Sequence, residues 1–135
     1  MKADAVDGYK VAWLLWPKSG VWPRDGEIDF PEADLNGGTV SAFMHRQNGS
    51  SGSDQDHFGS AVTLKDWHTY ALEWTPSHCE FFIDGKSIGK STSRIPNTPM
   101  RFVCQNETEL NSTYPAKTAV AKVYIDSFKA WRYAG

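Results

Sequence analysis

At 135 residues, with a net charge of −2 and a pI near 6.0, the chain has room for one domain with a proper core and none for a second. That balance, with no basic cluster, offers no attraction to nucleic acid or to an anionic membrane, and no apolar run approaches a bilayer span. Met1-Lys2-Ala3-Asp4-Ala5 has no apolar centre like that of a signal peptide.

The first strong apolar stretch, residues 9–16, reads as a strand bounded by a polar head and by Pro17-Lys18-Ser19-Gly20. A second strand is expected over 27–32, after which Asn36-Gly37-Gly38 supplies residues that tolerate positive φ. Residues 39–47 alternate, with Val40, Ala42 and Met44 on one face and Phe43, His45 and Gln47 on the other. If the apolar face is core, His45 and Gln47 point outward beside the 27–32 strand. Residues 48–60, rich in Gly and Ser, read as a loop, either a mobile surface loop or a cleft wall carrying Asp54-Gln55-Asp56-His57. Residues 67–74 are again strand-like, and 79–83 and 86–90 flank Asp84-Gly85, a hairpin signal. Residues 91–99 are turn-rich. Residues 101–107 resume a strand, with Gln105 and Glu107 on the face of Val103, and 108–113 read as loop. The last strand is expected to be long, 119–133, with a slip of apolar phase between Ile125 and Phe128 that predicts a bulge. Short strands, frequent turns and no helical period predict an all-β sandwich.

The chemistry concentrates in Trp22-Pro23-Arg24-Asp25-Gly26-Glu27-Ile28-Asp29-Phe30-Pro31-Glu32. In a strand, Glu27 and Asp29 share one face while Ile28 and Phe30 share the other. Strict alternation would turn Glu32 to the apolar face. Pro31 donates no ladder hydrogen bond and is tolerated chiefly at an edge or a bulge, and one bulged residue returns Glu32 to the face of Glu27 and Asp29. Glu27 and Glu32 then stand four ladder steps apart, about 13 Å between Cα atoms, and side chains leaning together leave the carboxyls roughly 5 Å apart. That matches the separation of about 5–5.5 Å expected of a retaining glycosidase. On spacing alone a calcium site or a solvated acidic edge remains open. Three acids on one face also predict a split in titration, with Glu32 raised above a free Glu and Glu27 ionised.

These residues resemble the active-site strand of glycoside hydrolase family 16, the laminarinase and lichenase group, in its bulged E-x-D-x-x-E form. The likeness continues through residues 9–17, Trp67-His68-Thr69-Tyr70-Ala71-Leu72-Glu73-Trp74, Phe82-Ile83-Asp84-Gly85-Lys86 and Val123-Tyr124-Ile125-Asp126-Ser127-Phe128. It implies a concanavalin-like jelly-roll β-sandwich whose concave face receives a glycan, with Glu27 as nucleophile, Asp29 assisting it and Glu32 as acid/base. It further implies a retaining endo-acting hydrolase of β-1,3- or mixed-linked β-glucan, with an extracellular setting. Six Trp, five Tyr and seven Phe supply apolar faces for core packing or for sugar rings. Of Trp13, Trp16 and Trp22, the last two are the preferred platforms because they border the motif. Arg24, His45, Gln47, Gln105 and Glu107 are candidates to hydrogen-bond sugar hydroxyls. Core packing is expected for Trp74 and Trp131.

Members of that family usually have several strands ahead of the segment matching residues 9–16, so the chain reads as truncated on its amino-terminal side. The missing strands would leave unpaired edges, from which a homodimer is expected. The family's calcium site draws on that amino-terminal part together with an Asp matching Asp126, so no metal and no cofactor are expected. Cys79 and Cys104 carry no spacing pattern and are read as small buried hydrophobes or as one disulfide, and the four His show no zinc spacing. A glycan-binding jelly roll without turnover is the alternative to the enzyme. A lyase is a weaker one, hinted at only by His45 and Arg46.

Overall fold

In the computed structural model, residues 1–108 and 113–135 are described, and they contain strands and turns but no helix. Ten strands run in chain order: β1 (Lys2–Ala3), β2 (Tyr9–Pro17), β3 (Glu27–Asp34), β4 (Thr39–His45), β5 (Gln55–Thr63), β6 (Tyr70–Trp74), β7 (Cys79–Ile83), β8 (Lys86–Ser91), β9 (Met100–Thr108) and β10 (Val123–Tyr124). Five of them form an antiparallel sheet in the order β5-β4-β3-β2-β9, and β6-β7-β8 form a second. β1 and β10 make a two-residue ladder of their own. This is an all-β jelly-roll sandwich, as the alternation predicts.

The core lies between the five-stranded and three-stranded sheets. Val11, Val40, Ala42 and Met44 are fully buried from one side, and Phe81 and Cys79 from the other. Aromatic edges lock the layers: Phe30 meets Phe81 at 5.5 Å and Tyr70 at 5.8 Å between centroids, and Phe58 meets Phe81 at 5.8 Å. The two edge-on pairs of Phe30 add to what their buried area already contributes. The β7–β8 hairpin turns at Asp84 and Gly85, both with positive φ, as the Asp-Gly pair predicts.

Three expectations are corrected. Residues 48–60 are not all loop, because β5 begins at Gln55 and pairs with β4 from His45–Gln55 to Thr39–Thr63. Its core-side residues include Asp56 and Ser60, so the apolar alternation that marks a strand is absent, and the β4 ladder supplies the order instead. The long last strand over 119–133 shrinks to Val123 and Tyr124. Ile125, Phe128 and Tyr133 are exposed there, and Trp131, expected in the core, is 82% exposed. Cys79 and Cys104 are both free, and Cys104 is exposed although it lies on the core-side face of β9 opposite Trp13, because β9 is an edge strand beside the open groove. Part of the loop expected over 108–113, residues 109–112, lies outside the described residues.

Beside β6 and β9 the sandwich is open. A groove of about 1370 Å³ is lined by Trp13, Leu15, Phe30, Leu72, Phe102 and Phe128, among others. Phe128 stacks on Phe102 at 5.0 Å, so the carboxy-terminal segment lies along the groove without entering a sheet.

Candidate active site

The bulge expected at Pro31 is present. On β4, Phe43 faces Asp29 and Ser41 faces Glu32, so three residues of β3 advance against two of its partner. The same extra residue shows against β2, where Leu14 faces Asp29 and Ala12 faces Glu32. Phe30, preceding the cis peptide to Pro31, turns into the core, and Glu27, Asp29 and Glu32 share the opposite face. Glu27 and Glu32 lie opposite His45 and Ser41, four residues apart on β4, which is the spacing the acid stretch predicts.

Gly26 positions the first acid. Its φ is +73°, and a Cβ there would stand 2.7 Å from Pro96 and 2.8 Å from the His45 carbonyl oxygen. Only glycine allows the chain to turn into β3 against those two residues.

Glu27 and Asp29 are buried, at 9% and 4% exposure, and hydrogen-bonded to each other. Burial, then the charge of Asp29 and the hydrogen bond to it, pushes Glu27 up to about 8, against the pull of His45 and of the Trp22 indole that hydrogen-bonds it. Asp29 is pushed up to about 7, by burial first and then by the charge of Glu32, against its bond to Glu27 and the charge of Lys10. Two carboxyls this close and this dry share one proton near neutrality. The expectation that Glu27 stays ionised is therefore corrected, because burial and the neighbouring Asp29 raise it. Glu32 Oε1 accepts from Lys10 Nζ at 2.6 Å.

His45 Nε2 lies 3.4 Å from Asp29 Oδ2 and 3.9 Å from Glu27 Oε2. These three side chains bring ligand atoms within 4.8 Å of one another, so they are where a metal ion could be held. His45 Nδ1 is buried and has no protein partner, whereas a ligating His normally anchors its second nitrogen. Among the described residues, Asp126 is not part of a convergent group of three His, Cys, Asp or Glu side chains.

Trp16 and Trp22 stack at 6.4 Å with planes 13° apart, and Trp22 presents its edge to His45 at 5.7 Å. They form an apolar shelf at the Glu27 end of the acid face, and Trp22 is 39% exposed. Trp13 belongs to the core side, with its indole N–H on Asn106 Oδ1 at 3.3 Å and its ring against Phe102. Residues 48–54 are the wall behind the shelf. A Cβ at Gly52 would stand 2.7 Å from the Trp22 ring, and Asp54 ties the wall to Arg46 and Arg94.

The polar candidates divide. Gln105 and Glu107 share the acid face, Gln105 opposite Ala12 and Glu107 opposite Lys10, and Gln105 Nε2 donates to Glu107 Oε1 at 3.1 Å. Arg24 turns to its neighbour, donating from Nε to Asp25 Oδ1 at 2.7 Å, and holds the Asp25 carboxyl down at about 2. Gln47 lies past the end of β4, its amide spanning the Arg24 carbonyl at 3.4 Å and the Asn97 N–H at 3.1 Å. It staples two loops. The sequence does not single out Lys10, and it places His57 only within the loop read as a surface loop or a cleft wall. His57 stacks on Phe43 at 4.5 Å and meets Ser41 Oγ at 3.0 Å, on a strand whose composition hid it. Lys10 was readable only as one cation in an apolar strand.

Residues 1–126 match the model of glycosyl hydrolases family 16. The chain is 38% identical over 77 residues to a β-glucanase of Acetivibrio thermocellus, covering 57% of this chain and 22% of that protein. It is 28% identical over 87 residues to a β-glucanase of Paenibacillus macerans, covering 64% and 35%. Among solved structures, the catalytic domain of an endo-1,3-β-glucanase (laminarinase) from Thermotoga petrophila superposes with a TM-score of 0.71 at 20% identity, over 88% of this chain and 55% of that one. An endo-β-galactosidase from Clostridium perfringens gives 0.66 at 18%, over 90% and 33%. The chain thus spans about half of the laminarinase domain and a fifth to a third of the two β-glucanases. With the family match over nearly its whole length and the bulged acid strand in place, the chain belongs to glycoside hydrolase family 16.

Proposed function

We propose that this protein is a retaining, endo-acting glycoside hydrolase that cleaves β-1,3- or mixed-linked β-glucan by double displacement. The observation that carries the reading is the one-residue bulge of β3, which sets Glu27 and Glu32 four ladder steps apart on one face with Asp29 between them. A Glu27 carboxylate oxygen attacks the anomeric carbon and the bond pair leaves with the glycosidic oxygen, which takes a proton from Glu32. Water then gives its proton to Glu32 and its oxygen to the anomeric carbon, releasing Glu27. Asp29, beside Glu27, takes up the shared proton so that Glu27 attacks as carboxylate. Trp16 and Trp22 offer a stacking surface to a sugar ring, His45, Gln105 and Glu107 line the same face, and Arg24 and Gln47 shape its rim. Proton NMR of the first product from laminarin and from barley glucan tests the reading. The β anomer is expected, an α anomer refutes double displacement, and no product from either glucan refutes the substrate.

The open groove favours a second reading, a glycan-binding jelly roll that keeps the acids without turnover. Binding of laminarin with no hydrolysis would select it. We also infer that a second copy covers the groove, because β6 and β9 each end a sheet beside it, and two such edges related by a two-fold axis close each other.

A further inference from the structure

Lys10 is 8% exposed, on the acid face of a sheet, in a strand otherwise built of apolar side chains. It stands opposite Asp34 on β3 and Glu107 on β9, so Glu32 is its diagonal neighbour rather than its direct one. The residue directly opposite Glu32 is Ala12, whose methyl leaves the space through which the lysine reaches. Nζ then meets Glu32 Oε1 at 2.6 Å and Glu107 Oε1 at 4.0 Å. Gln105 donates to that same Glu107 oxygen at 3.1 Å. The ammonium thus donates to Glu32 and has a second carboxylate, itself held by Gln105, at the outer reach of an ion pair.

Stability does not account for this arrangement, because a buried ion pair barely repays the dehydration of its two charges. Geometry does. Glu27 is oriented by Asp29 and Trp22, but the only hydrogen-bonded partner of Glu32 among the described side chains is Lys10. With Oε1 engaged, Oε2 is the oxygen left to face a glycosidic bond.

We propose that Lys10 is a positioning residue that fixes the Glu32 carboxyl so that Oε2 delivers and recovers the proton. The role rests on reading Glu32 as the acid/base. It acts on proton delivery and not on binding, so its loss depends on how much help the leaving group needs. Displacing an acid by about 1 Å costs on the order of 100-fold.

The test compares wild type, Lys10→Met, Lys10→Arg and Glu32→Ala on laminarin and on a 2,4-dinitrophenyl β-laminaribioside, whose leaving group needs no proton. Lys10→Met is expected to lose roughly 10- to 100-fold in kcat on laminarin with KM little changed. On the aryl glycoside kcat/KM, which reports the first step alone, should stay within about threefold. Lys10→Arg should recover most of the loss. Equal losses on both substrates, or wild-type kcat on laminarin, overturn the role. Glu32→Ala separates the two readings: if it keeps full activity on laminarin the acid/base assignment fails, whereas if it fails on laminarin alone while Lys10→Met matches wild type, only Lys10 falls. Should Lys10→Met not fold, Lys10→Gln, which keeps a donor without the charge, carries the comparison. Crystal structures of wild type and variant decide the matter without turnover. Glu32 leaving its place in the variant supports the proposal, and Glu32 unmoved overturns it.

Discussion

The acid face and the groove are built from the same strands and have opposite surroundings. Along β3 and β4 each strand has a ladder partner on both sides, so register fixes every side chain, and three carboxyls can be held within reach of one another. Beside the groove, β6 and β9 have one ladder partner each among the described residues, and the apolar side chains of 125–133 point to solvent. A strand-like pattern becomes a strand only where a neighbouring edge accepts its hydrogen bonds. The difference separates what this chain's own ladders fix from what they leave exposed.

The sharpest way to test the closed side is to remove Glu27, the proposed nucleophile. Glu27→Ala should lower kcat on laminarin on the order of 10⁴-fold or more, and azide should restore turnover of an activated aryl glycoside by entering where the carboxylate stood. An α-glycosyl azide is the expected product, since azide attacks the face Glu27 used. Wild-type rates in this variant would remove Glu27 from the chemistry.

The shelf next to the acids should respond in two separable ways. Trp22 contributes a ring and, through its N–H, a pull that favours the Glu27 carboxylate. Trp22→Ala loses both, so KM should rise roughly 10-fold and kcat fall as well. Trp22→Phe keeps the ring, and its loss should appear in kcat alone. Steady-state kinetics of the pair decide whether the tryptophan binds, orients, or does both, and equal KM values for the two variants would deny the shelf.

Much of the closed side is legible in the sequence because its signals are local. The bulge follows from Pro31 within an alternating run, and the β7–β8 turn from Asp84-Gly85. The strand β5 is not legible, since His57, Gly59 and Ser60 carry a loop's composition and acquire order only from β4. Lys10 escapes for the same reason. Its partner lies 22 residues away, and only the β2–β3 register, shifted by the bulge, brings the diagonal pair together. Arg24 was within reach of a local reading, because an adjacent Asp25 competes for its guanidinium more readily than a distant sugar. The last strand fails for the converse reason: 119–133 has the right pattern, but Ile125 and Trp131 have no layer to pack on.

Burying two acids makes the closed side sensitive to pH. Both Glu27 and Asp29 have folded values, about 8 and about 7, above their ordinary ones, so the folded chain binds more protons than the unfolded chain in between. The stability this contributes is complete below about pH 4 and is lost as pH rises through 7 to 8. Asp29→Asn removes one of the two groups, so between pH 5 and pH 9 it should lose several degrees less in Tm than wild type, on the order of 5 °C. Thermal melts at the two pH values measure it. Parallel losses in both proteins would mean that Asp29 is ionised in the folded chain.

The open side should yield the smallest effect on the folded chain and a visible one on its assembly. Phe102 is 42% exposed on β9 and stacks on Phe128, itself 63% exposed, so neither is held in a finished core. If a second copy covers the groove, these rings meet the partner and become buried. Light scattering coupled to size exclusion should then report twice the chain mass at micromolar concentration. Phe102→Ser should weaken that dimer by roughly 10-fold or more, because a buried aromatic contact contributes on the order of 1.5–3 kcal/mol. Measured at low concentration, where the chain is monomeric, the same variant should change Tm little, since an exposed side chain away from special features is worth about ±0.5 kcal/mol. A stable monomer at all concentrations would show that the groove needs no second copy, and the unpaired edges of β6 and β9 would then be tolerated in water.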